Sequence, residues 1–277
     1  MTASKELLDI LDLEAIDQDM FRGCTPPYET RRIYGGQVVA QALAAAYRTI
    51  EGRHCHSLHS YFIRPGDPKI PILFQVDRAR DGGSFAVRRV VAIQNGKQIF
   101  NLAASFQTPE TGFEHQTDMP EVPPPEGLKN EEELRAEAGL SPDSRRIWPV
   151  EVRPCAPTPH GFVGVEAPED RVWFRARQSV GSDVAANQCA LAYGSDMTLL
   201  DTSLRPHPVS WESGRLQVAS LDHAMWFHKP LDFSQWHLFV QDSPSASGGR
   251  GFNRASVYTR DGDLVASAAQ EALIRYR

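Results

Sequence analysis

The first half of the chain shows a helical pattern followed by strand patterns. Val39, Leu43 and Ala46 recur at four- and three-residue spacing, and most residues between them are alanine. This predicts a helix that other elements can approach closely on nearly every side. Residues 73–76 and 85–93 then run apolar or alternate between apolar and polar, as strands do. The pattern predicts one helix followed by an antiparallel meander.

Glycine-containing turns separate these strands. Asp81-Gly82-Gly83 divides the first two strands. Asn95-Gly96 predicts a tight hairpin, because both central positions of that turn favour left-handed backbone. A lone helix covers the buried face of a sheet only if the sheet curls around it. We therefore predict the α+β hotdog arrangement, in which a sheet wraps its own helix.

The second half of the chain repeats this order. Each motif recurs 159 to 166 positions after its first occurrence, and the order does not change. The matched pairs are Tyr34-Gly35-Gly36-Gln37 with Tyr193-Gly194-Ser195-Asp196, Ser57-Leu58 with Ser220-Leu221, Gly82-Gly83 with Gly248-Gly249, and Asn95-Gly96 with Asp261-Gly262. Ordered self-similarity of this kind indicates fused copies of one unit. We predict a double hotdog in which the tyrosine-glycine motif opens the helix of each copy.

A proline-rich stretch lies between the copies. Residues 109–159 hold half of the chain's 20 prolines, which predicts an extended connection. One short helix is predicted within it at 131–138, capped by Asn130. The predicted divisions are an N-terminal hotdog unit at 1–108, a connecting segment at 109–160 and a C-terminal hotdog unit at 161–277.

Composition and charge exclude several functions. The net charge of −6 is modest and spread along the chain, whereas nucleic acid binding usually needs a clustered basic face. No run approaches the roughly 20 apolar residues that span a bilayer. The N-terminus does not resemble a secretory signal, and the four cysteines include no CxxC pair, which favours the reducing cytoplasm. No phosphate-binding loop or dinucleotide fingerprint occurs, and His54, His56 and His59 lack a matching ligand set, so we predict no cofactor and no metal.

The two copies differ in polar character at matched positions. Asp196 replaces Gln37, Gln270 replaces Ala104, and Ser220 matches a serine of the first copy. A carboxylate can take a proton from water, while an amide and a hydroxyl can fix that water's orientation. No G-x-S-x-G nucleophile elbow is present, so the set predicts direct attack by a held water. Each residue alone has an ordinary structural explanation, namely a helix cap, a strand start and an edge strand.

Longer blocks resemble the acyl-CoA thioesterase II family. They lie at residues 34–42, 59–66, 81–85, 195–196, 221–228, 245–247 and 269–271. The resemblance implies a double-hotdog fold and hydrolysis of acyl-CoA to fatty acid and CoA, with Asp196, Ser220 and Gln270 around a water. It also implies homodimers or higher homo-oligomers. Peroxisomal members end in a targeting tripeptide that this chain lacks, which disfavours the peroxisome.

Acyl-CoA as the substrate suggests further binding residues. The expected oxyanion donor is a backbone N–H near Gly35 or Gly36, and Gln37 is a further expected binding residue. Arg64, Arg88 and Arg89 are candidates for the phosphates, and Trp226 with Met225 and Phe227 for the acyl chain. Each arginine could equally lie on a solvated strand face, and strand alternation places at least one of the three apolar residues in the core.

Two other functions stay open. A non-catalytic acyl-CoA sensor or carrier would use the same polar set for binding. A hydratase of enoyl-CoA with a hotdog fold needs an aspartate and a histidine together on the central helix. His223 instead follows Asp222 in a predicted strand, where the two would point to opposite faces.

Overall fold

The computed structural model describes residues 7–26, 31–140, 148–160 and 162–277. These residues form α1 (Leu7–Leu11), α2 (Gly35–Tyr47), α3 (Glu131–Glu137) and α4 (Val184–Ser195). The strands are β1 (Glu14–Asp17), β2 (Met20–Gly23), β3 (His54–Phe62), β4 (Ile72–Asp81), β5 (Phe85–Gln94), β6 (Lys97–Gln107), β7 (Val150–Pro154), β8 (Glu169–Ala176), β9 (Leu216–Ser220), β10 (Asp222–Phe227), β11 (His237–Ser247), β12 (Arg250–Thr259) and β13 (Leu264–Tyr276). Short 3-10 turns occupy Pro125–Gly127, Leu199–Ser203 and Trp211–Ser213.

All strands belong to one antiparallel sheet that runs through both halves of the chain. Its order is β1-β2-β4-β5-β6-β3 in the first half and β10-β13-β12-β11-β8-β7 in the second, with β9 beside β13. The halves join where β3 pairs with β10, with Tyr61 opposite Asp222 and Ser57 opposite Trp226. Each half wraps one central helix, α2 or α4. The predicted double hotdog is confirmed.

The two central helices pack against each other and run antiparallel. A Cβ on Gly36, at the start of α2, would lie only 2.4 Å from the carbonyl oxygen of Tyr193, near the end of α4. At the other end, the Tyr47 hydroxyl donates to the side chain of Gln188. Alanine and glycine at the contact allow this close approach. The start of each helix therefore lies beside the end of the other.

This arrangement corrects one part of the predicted repeat. Tyr34 precedes α2, whereas Tyr193 belongs to the last turn of α4, so the two tyrosine-glycine motifs do not occupy equivalent positions. The motifs meet because the helices are antiparallel. The hydroxyl of Tyr34 donates to the Tyr193 carbonyl at 2.8 Å, and the two rings pack edge to face at 5.1 Å.

The predicted turns and the short helix agree with the structure. Gly82-Gly83 separates β4 from β5, and Gly248-Gly249 separates β11 from β12. Asn95 and Gly96 have φ of 48° and 69°, the left-handed backbone that the tight hairpin requires. Helix α3 begins with a capping box, in which Asn130 and Glu133 each accept the other's backbone N–H.

The proline-rich connection covers the outer face of the second half of the sheet. Trp173 on β8 donates its indole N–H to the Pro123 carbonyl at 2.9 Å, and Thr117 contacts the hydroxyl of Tyr258 at 2.9 Å. A small apolar cluster of Trp173, Trp236, Leu238 and Tyr258 lies beneath it. β7 falls within the predicted connecting segment and pairs with β8. Across the residues that the structure describes, no helix has the length and apolar character needed to cross a membrane.

Candidate active site

A cavity of about 600 Å³ opens beside the start of α2, between the two halves of the molecule. Gly35, Gln37 and Arg64 line it from the first half, and Asp196 and Ser220 line it from the second. Its apolar walls include Val38, Phe62, Phe100, Met197 and Leu200. The cavity therefore combines a polar corner with an apolar surface.

The carboxylate of Asp196 occupies that polar corner. Asp196 caps the C-terminus of α4, and the antiparallel packing brings it to the N-terminus of α2, where the backbone N–H of Gly36 donates to it. A negative charge is stabilised there by the helix dipole and by amides without partners inside the helix. The close approach also needs glycine at Gly35, because a Cβ would lie 2.5 Å from Oδ2 of Asp196.

Ser220 and Gln270 complete the hydrogen bonding around this carboxylate. Ser220 ends β9, and its hydroxyl donates to Oδ1 of Asp196 at 2.9 Å. Gln270 lies on β13 with no exposed surface and donates from Nε2 to Oγ of Ser220 at 3.0 Å. It also bonds the carboxylate itself. The three side chains predicted to act together are in mutual contact.

Burial controls the charge of Asp196, which is 9% exposed. Burial raises its pKa above the ordinary aspartate value, while the positive charge of His223 and the hydrogen bonds from Ser220, Gln270 and Gly36 oppose that rise. A carboxylate with a raised pKa is a stronger base than an exposed one. The arrangement can therefore accept a proton from a bound water.

Asp201 is a second acidic residue in the same cavity. The pKa of Asp201 is raised to about 8, mainly by burial and also by the charges of Asp170, Glu131 and Asp196, while Arg205 opposes the rise. Asp201 is therefore largely protonated at neutral pH and adds little negative charge to the cavity.

His223 is the site residue that sequence reasoning missed. It lies on β10, is fully buried, and places Nδ1 2.5 Å from Oε1 of Gln270. Its neighbour Asp222 points the other way, as strand alternation predicts, and accepts the backbone N–H of Glu271 at 2.6 Å. The sequence contains a pattern that indicates this position. His223, Met225 and Phe227 occupy alternate positions on one strand, and because the last two are apolar, the histidine shares their inward face.

Two residues predicted to bind substrate lie elsewhere. Arg88 is 2% exposed, and its guanidinium donates to Thr49, to Asp81 and to two backbone carbonyls of its own hairpin. It has no free donor pointing to solvent and joins β5 to the end of α2, so we correct its assignment to phosphate. Trp226 is 36% exposed on the outer sheet face and packs edge to face against His59, away from the cavity, because Met225 and Phe227 take the inward positions.

Of the other predicted binding residues, Gly35, Gln37 and Arg64 line the cavity. Gln37 is 1% exposed and donates to Thr25 at 3.0 Å and to Gln41 at 3.3 Å. Arg64 is exposed and donates one N–H to the Gln98 carbonyl at 2.7 Å, which leaves other donors for a ligand. Gly35 and Gly36 form the first turn of α2.

Comparison with known proteins gives matches over nearly the whole chain. A family model described as acyl-CoA thioesterase matches residues 143–273, and one described as acyl-CoA thioesterase N-terminal domain matches residues 25–107. Acyl-coenzyme A thioesterase 8 of Homo sapiens is 40% identical over 97% of this chain and 88% of its own length. Acyl-CoA thioesterase 2 of Haemophilus influenzae is 39% identical over 98% and 97%. The crystal structure of acyl-CoA thioesterase II TesB2 from Mycobacterium marinum is 41% identical, covers 98% of this chain and 97% of its own, and has a TM-score of 0.81.

Proposed function

Because this chain belongs to the acyl-CoA thioesterase family, we propose that a water held by Asp196, Ser220 and Gln270 carries out its reaction. The chain is a thioester hydrolase, and the reaction converts a fatty acyl-CoA and water to a free fatty acid and CoA. The observation that carries the proposal is the bonded set itself, in which Ser220 and Gln270 both contact a buried carboxylate.

The proposed reaction begins with water, whose oxygen attacks the thioester carbonyl carbon while Asp196 takes one of its protons. Gln270 and Ser220 aim the water, since an amide and a hydroxyl can each donate and accept. The negative charge that develops on the carbonyl oxygen lies against the first turn of α2, where the amide of Gly35 can donate. The carbon–sulfur bond then breaks, and the thiolate of CoA leaves with the proton returned by Asp196.

The cavity offers a place for each end of the substrate. We place the acyl chain along the apolar wall that includes Val38, Phe62 and Phe100. Arg64 at the rim is exposed and can pair with a phosphate of CoA. The side-chain nitrogen of Gln37 already donates to Thr25 and Gln41, so we assign Gln37 to the cavity wall.

Thiol release from acyl-CoAs of increasing chain length tests this proposal. Asp196→Asn and Gln270→Ala should each abolish most turnover, because positioned proton transfer contributes on the order of 10²- to 10⁴-fold. Asp201→Asn is the matched control, since it removes a carboxyl group from the same cavity without touching the bonded set, and it should retain kcat. Wild-type kcat in Asp196→Asn would place the reaction elsewhere.

Assembly and location belong to the same proposal. We propose a homodimer or higher homo-oligomer that covers the outer sheet face, on which Tyr61 and Trp226 are 59% and 36% exposed. Light scattering after gel filtration tests this, and Trp226→Glu should lower the measured mass.

A cytoplasmic location is supported by the free state of all four cysteines.

A further inference from the structure

We propose that His223 is a positioning residue that holds the Gln270 amide with its nitrogen toward Ser220. The inference rests on the proposed function, since it concerns how the water-binding set keeps its geometry. His223 would act on the reaction only through Gln270, without touching the substrate.

The first observation is the bond between the ring of His223 and the Gln270 amide. Nδ1 of His223 lies 2.5 Å from Oε1 of Gln270. An amide oxygen only accepts hydrogen bonds, so Nδ1 carries a hydrogen. The amide nitrogen then points the other way, toward Oγ of Ser220 at 3.0 Å. The histidine therefore determines which end of the amide faces the catalytic set.

The ring and the backbone of His223 are each held by one further hydrogen bond. Nε2 lies 2.8 Å from Oγ of Ser195, the last residue of α4. The backbone carbonyl of His223 accepts the hydroxyl of Ser60, from β3 of the first half, at 2.8 Å. Oγ of Ser195 also donates to the Ala192 carbonyl at 3.0 Å, so it can accept a hydrogen from Nε2. His223 is thus fixed between helix and sheet, and Asp196 is the charged neighbour it influences.

A second anchor matters because Asp196 changes charge during the reaction. While Asp196 is ionised, its carboxylate attracts the Nε2 end of Gln270 and disfavours the reversed amide. Once Asp196 has taken the proton from water, that preference weakens. His223 keeps donating to Oε1 throughout, so it preserves the amide's orientation until the proton is returned.

Two substitutions separate the two ring nitrogens. The side-chain nitrogen of asparagine can replace Nδ1, so His223→Asn keeps a donor for Gln270. The side-chain nitrogen of glutamine replaces Nε2, so His223→Gln keeps a partner for Ser195 but loses that donor. We expect His223→Gln to lower kcat by roughly 10- to 100-fold with KM unchanged. His223→Asn should restore most of kcat.

A double-variant comparison tests whether His223 acts through Gln270. In a Gln270→Ala background, His223→Gln should cause no further loss of kcat, because residues that act as a unit are not additive. Equal losses in His223→Asn and His223→Gln, or a loss that adds to that of Gln270→Ala, would overturn the inference. Gln270→Ala with wild-type kcat would instead overturn the proposed water site, so the two failures are distinguishable.

A spectroscopic measurement covers the case in which a histidine variant does not fold. In the wild-type protein labelled with ¹⁵N-histidine, the signals of His223 should show the Nδ1–H form, and Gln270→Ala should shift them. A His223 ring with its hydrogen on Nε2 alone would contradict the assigned hydrogen bond and with it the positioning role.

Discussion

Gly35 is the position where one added methyl group tests the site most directly. A Cβ there would lie 2.5 Å from Oδ2 of Asp196 and 3.0 Å from the ring of Phe62, whereas ordinary contacts begin at 3.4 Å. The carboxylate must therefore retreat by about 1 Å, and a misplacement of that size can cost on the order of 10²-fold in rate. Such a loss corresponds to about 2.7 kcal/mol of activation free energy. We expect Gly35→Ala to lower kcat about 100-fold.

The fold should tolerate this change, since alanine favours a helix over glycine by about 0.5–1 kcal/mol. The assay is thiol release at saturating acyl-CoA, with thermal unfolding measured on the same samples. Gly112→Ala adds a methyl group with nothing within 4 Å and should change neither quantity. Gly36→Ala should lower the Tm, because its Cβ meets the Tyr193 carbonyl oxygen at 2.4 Å. Wild-type kcat in a folded Gly35→Ala enzyme would refute the placement of the catalytic carboxylate.

Three further predictions concern charged and polar groups. Ser220→Ala removes a hydrogen bond that lowers the pKa of Asp196. The acidic limb of the pH profile of kcat/KM should therefore move to higher pH, and an unmoved limb would argue against Asp196 as the base. Burial raises the pKa of Asp201 to about 8, so the wild type should lose stability as pH rises from about 4 to about 8. In urea unfolding, Asp201→Asn should therefore stabilise the protein more at about pH 9 than at about pH 5, and equal effects at both would contradict this. Arg88→Met should lower the free energy of unfolding by about 2 kcal/mol or more, because its hydrogen bonds to Thr49 are lost. The KM for acyl-CoA should not change. A raised KM at normal stability would show that Arg88 binds the substrate.

Local signals predicted much of this fold because they act over a few residues. Asn95-Gly96 forms its hairpin wherever the flanking strands can pair, and Asn130 caps α3 through a side chain three residues from its partner. Alternation along β10 also predicted that at least one of Met225, Trp226 and Phe227 would lie in the core, and Met225 and Phe227 do.

Local signals of this kind did not predict how the two halves pack against each other. The match of the two tyrosine-glycine motifs led to Asp196, yet the motifs are partners across an antiparallel helix pair and do not share a place in the repeat. Helix direction depends on how the two halves pack, which neither motif encodes alone. His223 was dismissed because Asp222 faces the other way. That alternation was correct, and only the pairing of β10 with β13 places the histidine beside Gln270.

The opposite end of the helix pair explains why the fused chain can have a single site. Tyr47 is the last residue of α2, close to the position that Asp196 has after α4. The Tyr47 hydroxyl accepts the backbone N–H of Cys55 at 2.7 Å. Burial raises the pKa of Tyr47, so this residue stays neutral and offers no carboxylate base. The end of α2 therefore lacks the charge that the end of α4 supplies.

At the end of α2, strands β3 and β6 do not supply counterparts of Ser220 and Gln270. Ala104 occupies on β6 the place that Gln270 has on β13, and it is 1% exposed. A bulge in β3 between Cys55 and Ser57 pairs Ser57 with Ser105 on the outer sheet face, so the serine matched with Ser220 in the repeat cannot face inward. At these two positions the first half therefore supplies neither an amide nor an inward hydroxyl, and the Gln188 amide at that end is bonded to Tyr47 and to the Cys55 carbonyl. Asp196→Asn should accordingly leave no second site to sustain turnover.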